Sequence, residues 1–245
     1  MAKFQRPAMV IFAQERTLFQ PIKQNIREGV KAVVTAVAQE GIYYDTEKLC
    51  AEFEKLTGEF WIKREYRPRS HVSSEMIWKY LIALFEMETK KSPAQLDRIF
   101  SEAACRLVPT EGAADILELL SNCLVRTAVA ADIPYSAAWM EDVLDASFPN
   151  NMLEFTLCSS EFIYGREDAE FFEILQKKAD IPAGDIWYIG GDSVLDVEAA
   201  EKAGFVPFWF RGALPETGIK PPRCDYSSVE DWREFASIIS KVVRL

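Results

Sequence analysis

The sequence predicts an α/β protein: a parallel sheet of about five strands with helices on both faces, and an all-helical subdomain inserted after the first strand. Three observations carry this. Met9-Val10-Ile11-Phe12 is a short apolar run that breaks into polar residues, as a buried strand opening into a loop does. The stretch from Lys23 to Leu107 shows helical periodicity and no convincing strand alternation. From Pro109 onward, helical segments alternate with apolar strand-like ones, the rhythm of a parallel sheet.

In the inserted stretch, Ile26, Val30, Val33, Val34 and Val37 fall on one helical face, and Gly41 follows as a stop. Asp45 can cap a second helix carrying Leu49, Phe53 and Leu56. A third helix carries Met76, Ile77, Tyr80, Leu81, Leu84 and Phe85. Ser92-Pro93-Ala94-Gln95 opens a fourth, with Ser92 as N-cap, Pro93 at the first helical position and Gln95 closing a capping box. Its apolar face is Leu96, Ile99, Phe100 and Ala103. Successive amphipathic helices of this kind suit a small bundle.

Beyond Pro109, helix Ala113–Ser121 precedes strand Val125–Ala131, and helix Ala137–Leu144 precedes a short strand at Phe155–Cys158. Helix Ala169–Ala179 then precedes strand Ile186–Ile189. Helix Leu195–Ala203 ends at Gly204 before strand Val206–Phe210. Strand Met9–Phe12 joins the same sheet. A bundle inserted after it is tolerated because both ends of the insert leave from one edge of the core.

Composition bounds the function. The 245 residues suit one large domain or a core with an insert, and 49% hydrophobic content can bury a substantial core. A formal net charge of −10 argues against non-specific binding to nucleic acid or anionic membrane. Cys50, Cys105, Cys123, Cys158 and Cys224 lack paired spacing, which reads as reduced thiols in a cytoplasmic protein. Met1–Pro7 is too polar and short for a signal peptide. No apolar run reaches the ~20 residues of a membrane span. His71 is the single histidine, so multi-histidine metal sites are excluded, and any Ser-His-Asp or Cys-His triad would have to use it.

Four stretches carry candidate chemistry. Ala8–Phe19 reads AMVIFAQERTLF. Strand Val125–Ala131 ends Ala130-Ala131-Asp132. Gly165-Arg166-Glu167-Asp168 stands before a helix. Ile186–Asp196 ends a strand in Gly190-Gly191, then places Asp192 and Asp196 one helical turn apart. That last spacing lets two carboxylates face one side as Mg²⁺ ligands. It equally suits a helix cap at Asp192 with Asp196 complementing the dipole.

In this order the stretches resemble the four motifs of the haloacid dehalogenase (HAD) superfamily of hydrolases. These are Asp-x-Asp-x-Thr-Leu after an apolar strand, a Ser or Thr at the end of the next, Gly-Lys-Pro-Asp before a helix, and Gly-Asp-x-x-x-Asp. The resemblance implies a Rossmann-like core, Met1–Gln20 plus Val108–Leu245, and a helical cap, Pro21–Leu107. Capped HAD proteins are mostly phosphatases, phosphomutases or dehalogenases acting on small molecules.

The departures from the pattern set the expected function. Ala13 stands where the family keeps its aspartate nucleophile, which also ligates Mg²⁺. A methyl cannot attack phosphorus, and losing a nucleophile costs roughly 6–9 kcal/mol of transition-state stabilisation. Glu15 takes the acid/base position and, on a continued strand, would face the same side as residue 13. Arg166 keeps the positive charge of the third motif and is a catalytic and substrate-binding candidate. Thr17, Ala131 and Asp132 fall at the other substrate-binding positions, with Ala131 lacking the hydroxyl. Asp132 also reads as a cap of the helix that follows. Asp192 and Asp196 remain as metal ligands, a set that would hold Mg²⁺ weakly without a carboxylate at 13.

The expectation is therefore a HAD-like protein without the usual Mg²⁺-dependent phosphohydrolase activity, binding a small anionic molecule or a protein partner. The alternative is a hydrolase with a rearranged site of Glu15, Asp132, Arg166 and Asp192. Lys63, Arg64, Arg67, Arg69 and His71 form a basic run beside Trp61 and Tyr66. It reads as an anion contact over the crevice or as a solvated face.

Overall fold

The structure is a computed structural model and describes residues 5–41, 43–61, 72–166, 168–213 and 219–243. The basic run from Lys63 to His71 and Glu167 of the third motif lie outside the described residues. Among the described residues no helix is long and apolar enough to cross a membrane. All five cysteines are free thiols.

Strand β1 (Met9–Ala13) is buried along its whole length. The chain then leaves through β2 (Lys23–Gln24) into helices α1 (Ile26–Ala38), α2 (Thr46–Phe60), α3 (Ser74–Leu84) and α4 (Pro93–Ala104), and returns through β3 (Cys105–Arg106). Strands β2 and β3 pair antiparallel, Lys23 opposite Arg106. This short ribbon was not legible as strand alternation, because two residues carry no period. It ties the outgoing and returning chains together. Gln20 N–H to the Val108 carbonyl (2.8 Å) and Thr110 N–H to the Leu18 carbonyl (2.9 Å) continue the tie into the core.

The remaining chain runs α5 (Ala113–Asn122), β4 (Arg126–Ala131), α6 (Ala137–Ser147), β5 (Leu153–Cys158), α7 (Ala169–Ala179), β6 (Ile186–Gly190), α8 (Ala199–Lys202), β7 (Val206–Phe210), β8 (Ser227–Val229) and α9 (Trp232–Val243). The six sheet strands lie in the order β5-β4-β1-β6-β7-β8, all parallel. Strand β8 and helix α9 extend the core beyond the strand at Phe210, where the sequence reading stopped. Three residues are too few for a strand signal.

The pleat of β1 divides the core into two layers. Val10 and Phe12 face a cluster with α5, α6 and α9, including Ile116, Met140 and Phe235. Met9, Ile11 and Ala13 face a second cluster with α7 and α8, including Phe172 and Ala200. Successive strand residues point to opposite faces, so one apolar strand serves both layers.

The caps follow the sequence. Asn25, Asp45, Ser73 and Ser92 each accept an N–H of the helix they precede, and Ser92 with Gln95 forms a capping box. In α3 the buried stripe is Ile77, Trp78 and Leu81. Met76, Tyr80 and Leu84, which periodicity alone had placed on the apolar face, are about half exposed. The bundle shares the larger cluster with the core. Phe53 stacks on Phe100 with centroids 4.4 Å apart, and Trp61 meets Tyr135, beyond β4, edge-on at 6.1 Å.

Candidate functional site

Strands β4 and β6 flank β1, with Phe12 in register with Val129 and Ile189. The C-terminal ends of these three strands therefore meet at one edge, where ligands sit in open parallel sheets. Their last residues are Ala13, Ala131 and Gly190.

Ala13 is fully buried, and its backbone is in register with Ala130. Its methyl packs in the α7/α8 layer. Past Ala13 the strand stops, and Arg16 adopts the left-handed conformation at φ 57°. Ala13 packs in the α7/α8 layer, whereas Glu15 lines a cavity with Ile22 and Tyr135, which belong to the other layer. Glu15 is half-buried and its Oε1 accepts the Ile22 N–H at 3.4 Å. Thr17 is fully buried; its hydroxyl donates to the Glu15 carbonyl, and its own carbonyl accepts from Thr110 Oγ1 at 2.6 Å. Gln14 is 1% exposed, and its side-chain amide has no hydrogen-bond partner among the described residues.

Arg166 lies just before α7 and is buried. Its Nη1 contacts Asp196 Oδ1, and its Nε lies 3.8 Å from Asp132 Oδ2. Burial opposes the guanidinium charge, but the carboxylates of Asp196 and Asp132 outweigh it and raise the group well above its ordinary pKa. Asp196 is fully buried and also accepts from Tyr188 Oη at 3.2 Å and from the Asp192 N–H at 2.8 Å. Burial and the Asp196 carboxylate raise the Tyr188 phenol well above its usual pKa, so it stays a donor. Tyr188 was missed from sequence; its signal was a hydroxyl in an otherwise apolar strand, since a buried Tyr usually finds a partner.

Asp192 takes the capping role. Its Oδ1 accepts the N–H groups of Val194 and Leu195 at 2.9 and 2.7 Å. The segment it caps, Ser193–Glu198, is π-helical rather than the start of an α-helix. The two glycines before it have no positive φ. They are there for space. A Cβ on Gly190 would lie 2.3 Å from the Cβ of Asp196, and one on Gly191 would lie 2.4 Å from the Arg16 carbonyl oxygen.

Glu15 and Asp132 line one cavity of about 330 Å³ between bundle and core, walled by Trp61 and Tyr135 with Gln24 and Thr57. Two larger hollows lie elsewhere, about 560 Å³ beside Trp232 and about 510 Å³ between α7 and the Val194–Lys202 segment. The structure thus brings Glu15 and Asp132 together and Arg166, Asp132 and Asp196 together. Thr17, Ala131 and Asp192 do not line the cavity.

The resemblance of the motifs implies Mg²⁺, but these residues do not fit it. Both Asp196 oxygens are engaged, Asp192 caps a helix, the side chain at position 13 has no oxygen, and a guanidinium stands beside the carboxylates. Among the described residues no three His, Cys, Asp or Glu side chains converge on a metal position.

The architecture is that of the HAD hydrolases. The chain is similar to a 2-haloacid dehalogenase from Pseudomonas syringae pv. Tomato DC3000, at 15% identity over 97% of this chain and 99% of that one, with a TM-score of 0.66. It is also similar to a HAD-superfamily hydrolase from Ehrlichia chaffeensis, at 16% identity over 98% and 100% of the two chains, with a TM-score of 0.53. A candidate HAD-hydrolase from Bacillus subtilis, YfnB, solved bound to magnesium, matches at 14% identity over 96% and 99%, TM-score 0.53. At such identities the likeness establishes a HAD-like fold. No protein-family model and no curated protein sequence matches the chain.

Proposed function

We propose that this HAD-fold chain binds a ligand and does not run aspartyl-phosphate chemistry. The observation that supports the reading is Ala13: the residue ending the central strand is a buried methyl in an apolar layer, with no atom able to attack phosphorus. The seat of the ligand is the cavity at Glu15 and Asp132. About 330 Å³ suits a small molecule, and Trp61 and Tyr135 offer it flat apolar walls. An anionic ligand would face two carboxylates there, so an uncharged or zwitterionic molecule suits the described walls better. A protein partner covering the same cavity is the competing occupant.

A panel of phosphate and phosphonate esters with Mg²⁺ should show no turnover above buffer. Small molecules that raise Tm should lose their effect on Glu15→Ala and Asp132→Ala. Hydrolysis that Glu15→Ala abolishes would overturn the reading.

One observation favours a second reading: Glu15 and Asp132 share a cavity, and paired carboxylates can act as acid and base. Such a hydrolase would rely on Arg166 and Asp192 from outside that cavity. It predicts turnover lost in both Glu15→Gln and Asp132→Asn, with each protein still folded.

A further inference from the structure

We infer that the molecule held in the cavity at Glu15 carries a primary ammonium group on an apolar body. The inference rests on the ligand-binding reading above and names the chemistry of the same site. It comes from matching hydrogen-bond donors to acceptors around the cavity, since a ligand's polar atoms need complementary partners when they leave water.

Among the described walls, each side-chain donor group already has a partner in the protein. Trp61 Nε1 donates to the Val72 carbonyl at 2.8 Å, and the Thr57 hydroxyl donates to the Glu54 carbonyl at 3.0 Å. Gln24 Nε2 donates to the Tyr135 hydroxyl, which is also hydrogen-bonded to the Cys105 thiol. Tyr135 is 1% exposed and Thr57 is 6% exposed, so packing holds both hydroxyls to these partners. Oxygen lone pairs remain. Glu15 spends Oε1 on the Ile22 N–H at 3.4 Å and has Oε2 to offer. Thr57, with its proton committed, can only accept.

The same walls favour a donor with a positive charge. A charged N–H on a carboxylate is roughly twice as strong a hydrogen bond as a neutral pair. Glu15 is half-buried, where less water screens its charge. Trp61 and Tyr135 wall the cavity with rings 6.1 Å apart and 82° between their planes, and aromatic rings attract a cation. The net charge of −10 draws cations to the chain. A carboxylate or phosphate group would meet the Glu15 charge and find every side-chain donor group of these walls already engaged. About 330 Å³ holds one small ring or a short alkyl chain, and Ile22, Ile26 and Pro134 cover that apolar part.

The experiment is a fluorine nuclear magnetic resonance titration of the full chain, in about 0.15 M NaCl to screen surface charge. It compares para-fluorobenzylamine, para-fluorobenzyl alcohol and para-fluorobenzoate, which share one body. The amine should bind in the millimolar range, at least about tenfold more tightly than the other two, as one charge-assisted hydrogen bond provides. Glu15→Gln keeps the shape, removes the charge and should weaken the amine about tenfold. Glu111→Gln, beside the separate Trp232 hollow, should leave it unchanged. If Glu15→Gln fails to fold, Overhauser contacts between the Trp61 ring and the amine in wild type take its place. Equal binding of alcohol and amine overturns the inference, as does a preference for the benzoate or no binding by any of the three. So do amine binding that Glu15→Gln leaves intact, amine binding that both variants weaken alike, and an amine without Trp61 contacts. A preference for the alcohol or the benzoate leaves the ligand-binding reading standing. Phosphate-ester hydrolysis that Glu15→Ala abolishes ends that reading, whichever probe binds.

Discussion

The hydroxyl of Ser74, at the start of α3, hydrogen-bonds the buried carboxylate of Asp97 in α4. The same Ser74 donates its N–H to the Pro134 carbonyl at 2.9 Å, and Asp97 also accepts from the Ser136 backbone. One buried acid thus joins two bundle helices to the loop that carries Asp132 into the cavity.

Burial pushes the Asp97 carboxyl up to about 6, against its hydrogen bonds to Ser74 and Ser136 and with Glu75 adding to the rise. The folded chain therefore holds this proton more tightly than an ordinary aspartate at 3.8 does. Its contribution is fully present below about pH 4 and is lost as pH rises through about 6. The span is worth about 3 kcal/mol. Urea melts between pH 4 and 7 should show stability falling with pH in wild type relative to Asp97→Asn. Parallel pH profiles of the two proteins would rule the assignment out.

Gln14 buries an amide with no hydrogen-bond partner among the described residues. An apolar side chain of similar bulk removes that desolvation cost, so Gln14→Leu should stabilise by about 1 kcal/mol. A loss of that size in denaturant melts would mean that the amide has a partner in solution.

Gly190→Ala should destabilise by about 3 kcal/mol, because its Cβ would overlap the Asp196 side chain at 2.3 Å. Gly184→Ala, with no described residue within 4 Å of the added Cβ, should change stability by less than about 1 kcal/mol. Melts of the two single variants test the contrast, and equal effects would refute it.

Aromatic contacts join bundle and core, so the two should melt as one cooperative unit. Phe100→Ala should cost about 3–5 kcal/mol and shift tryptophan fluorescence and far-ultraviolet dichroism together. Separate transitions by the two probes would show that the bundle melts alone.

Much of the fold was legible because it rests on local rules. Burial on both faces makes the sheet strands continuous apolar runs, and the caps at Asp45 and Ser92 need only neighbouring N–H groups. Strand β8 escaped notice because it has three residues, and the β2–β3 ribbon because a two-residue pair exists only through its partner. The outward turn of Met76, Tyr80 and Leu84 was hidden too, since periodicity gives a helix an apolar stripe but not the neighbour that covers it.

The sequence by itself determined the α/β class, the inserted bundle and the absence of a nucleophilic atom at Ala13, for these depend on residue identity and spacing. Only the tertiary structure decided that Asp192 caps a helix, that Asp196 and Asp132 face Arg166, and that Glu15 parts from Ala13. A carboxylate's role depends on which cation or N–H comes within hydrogen-bonding reach, and in this chain those partners lie up to some thirty residues away, brought together by strand order.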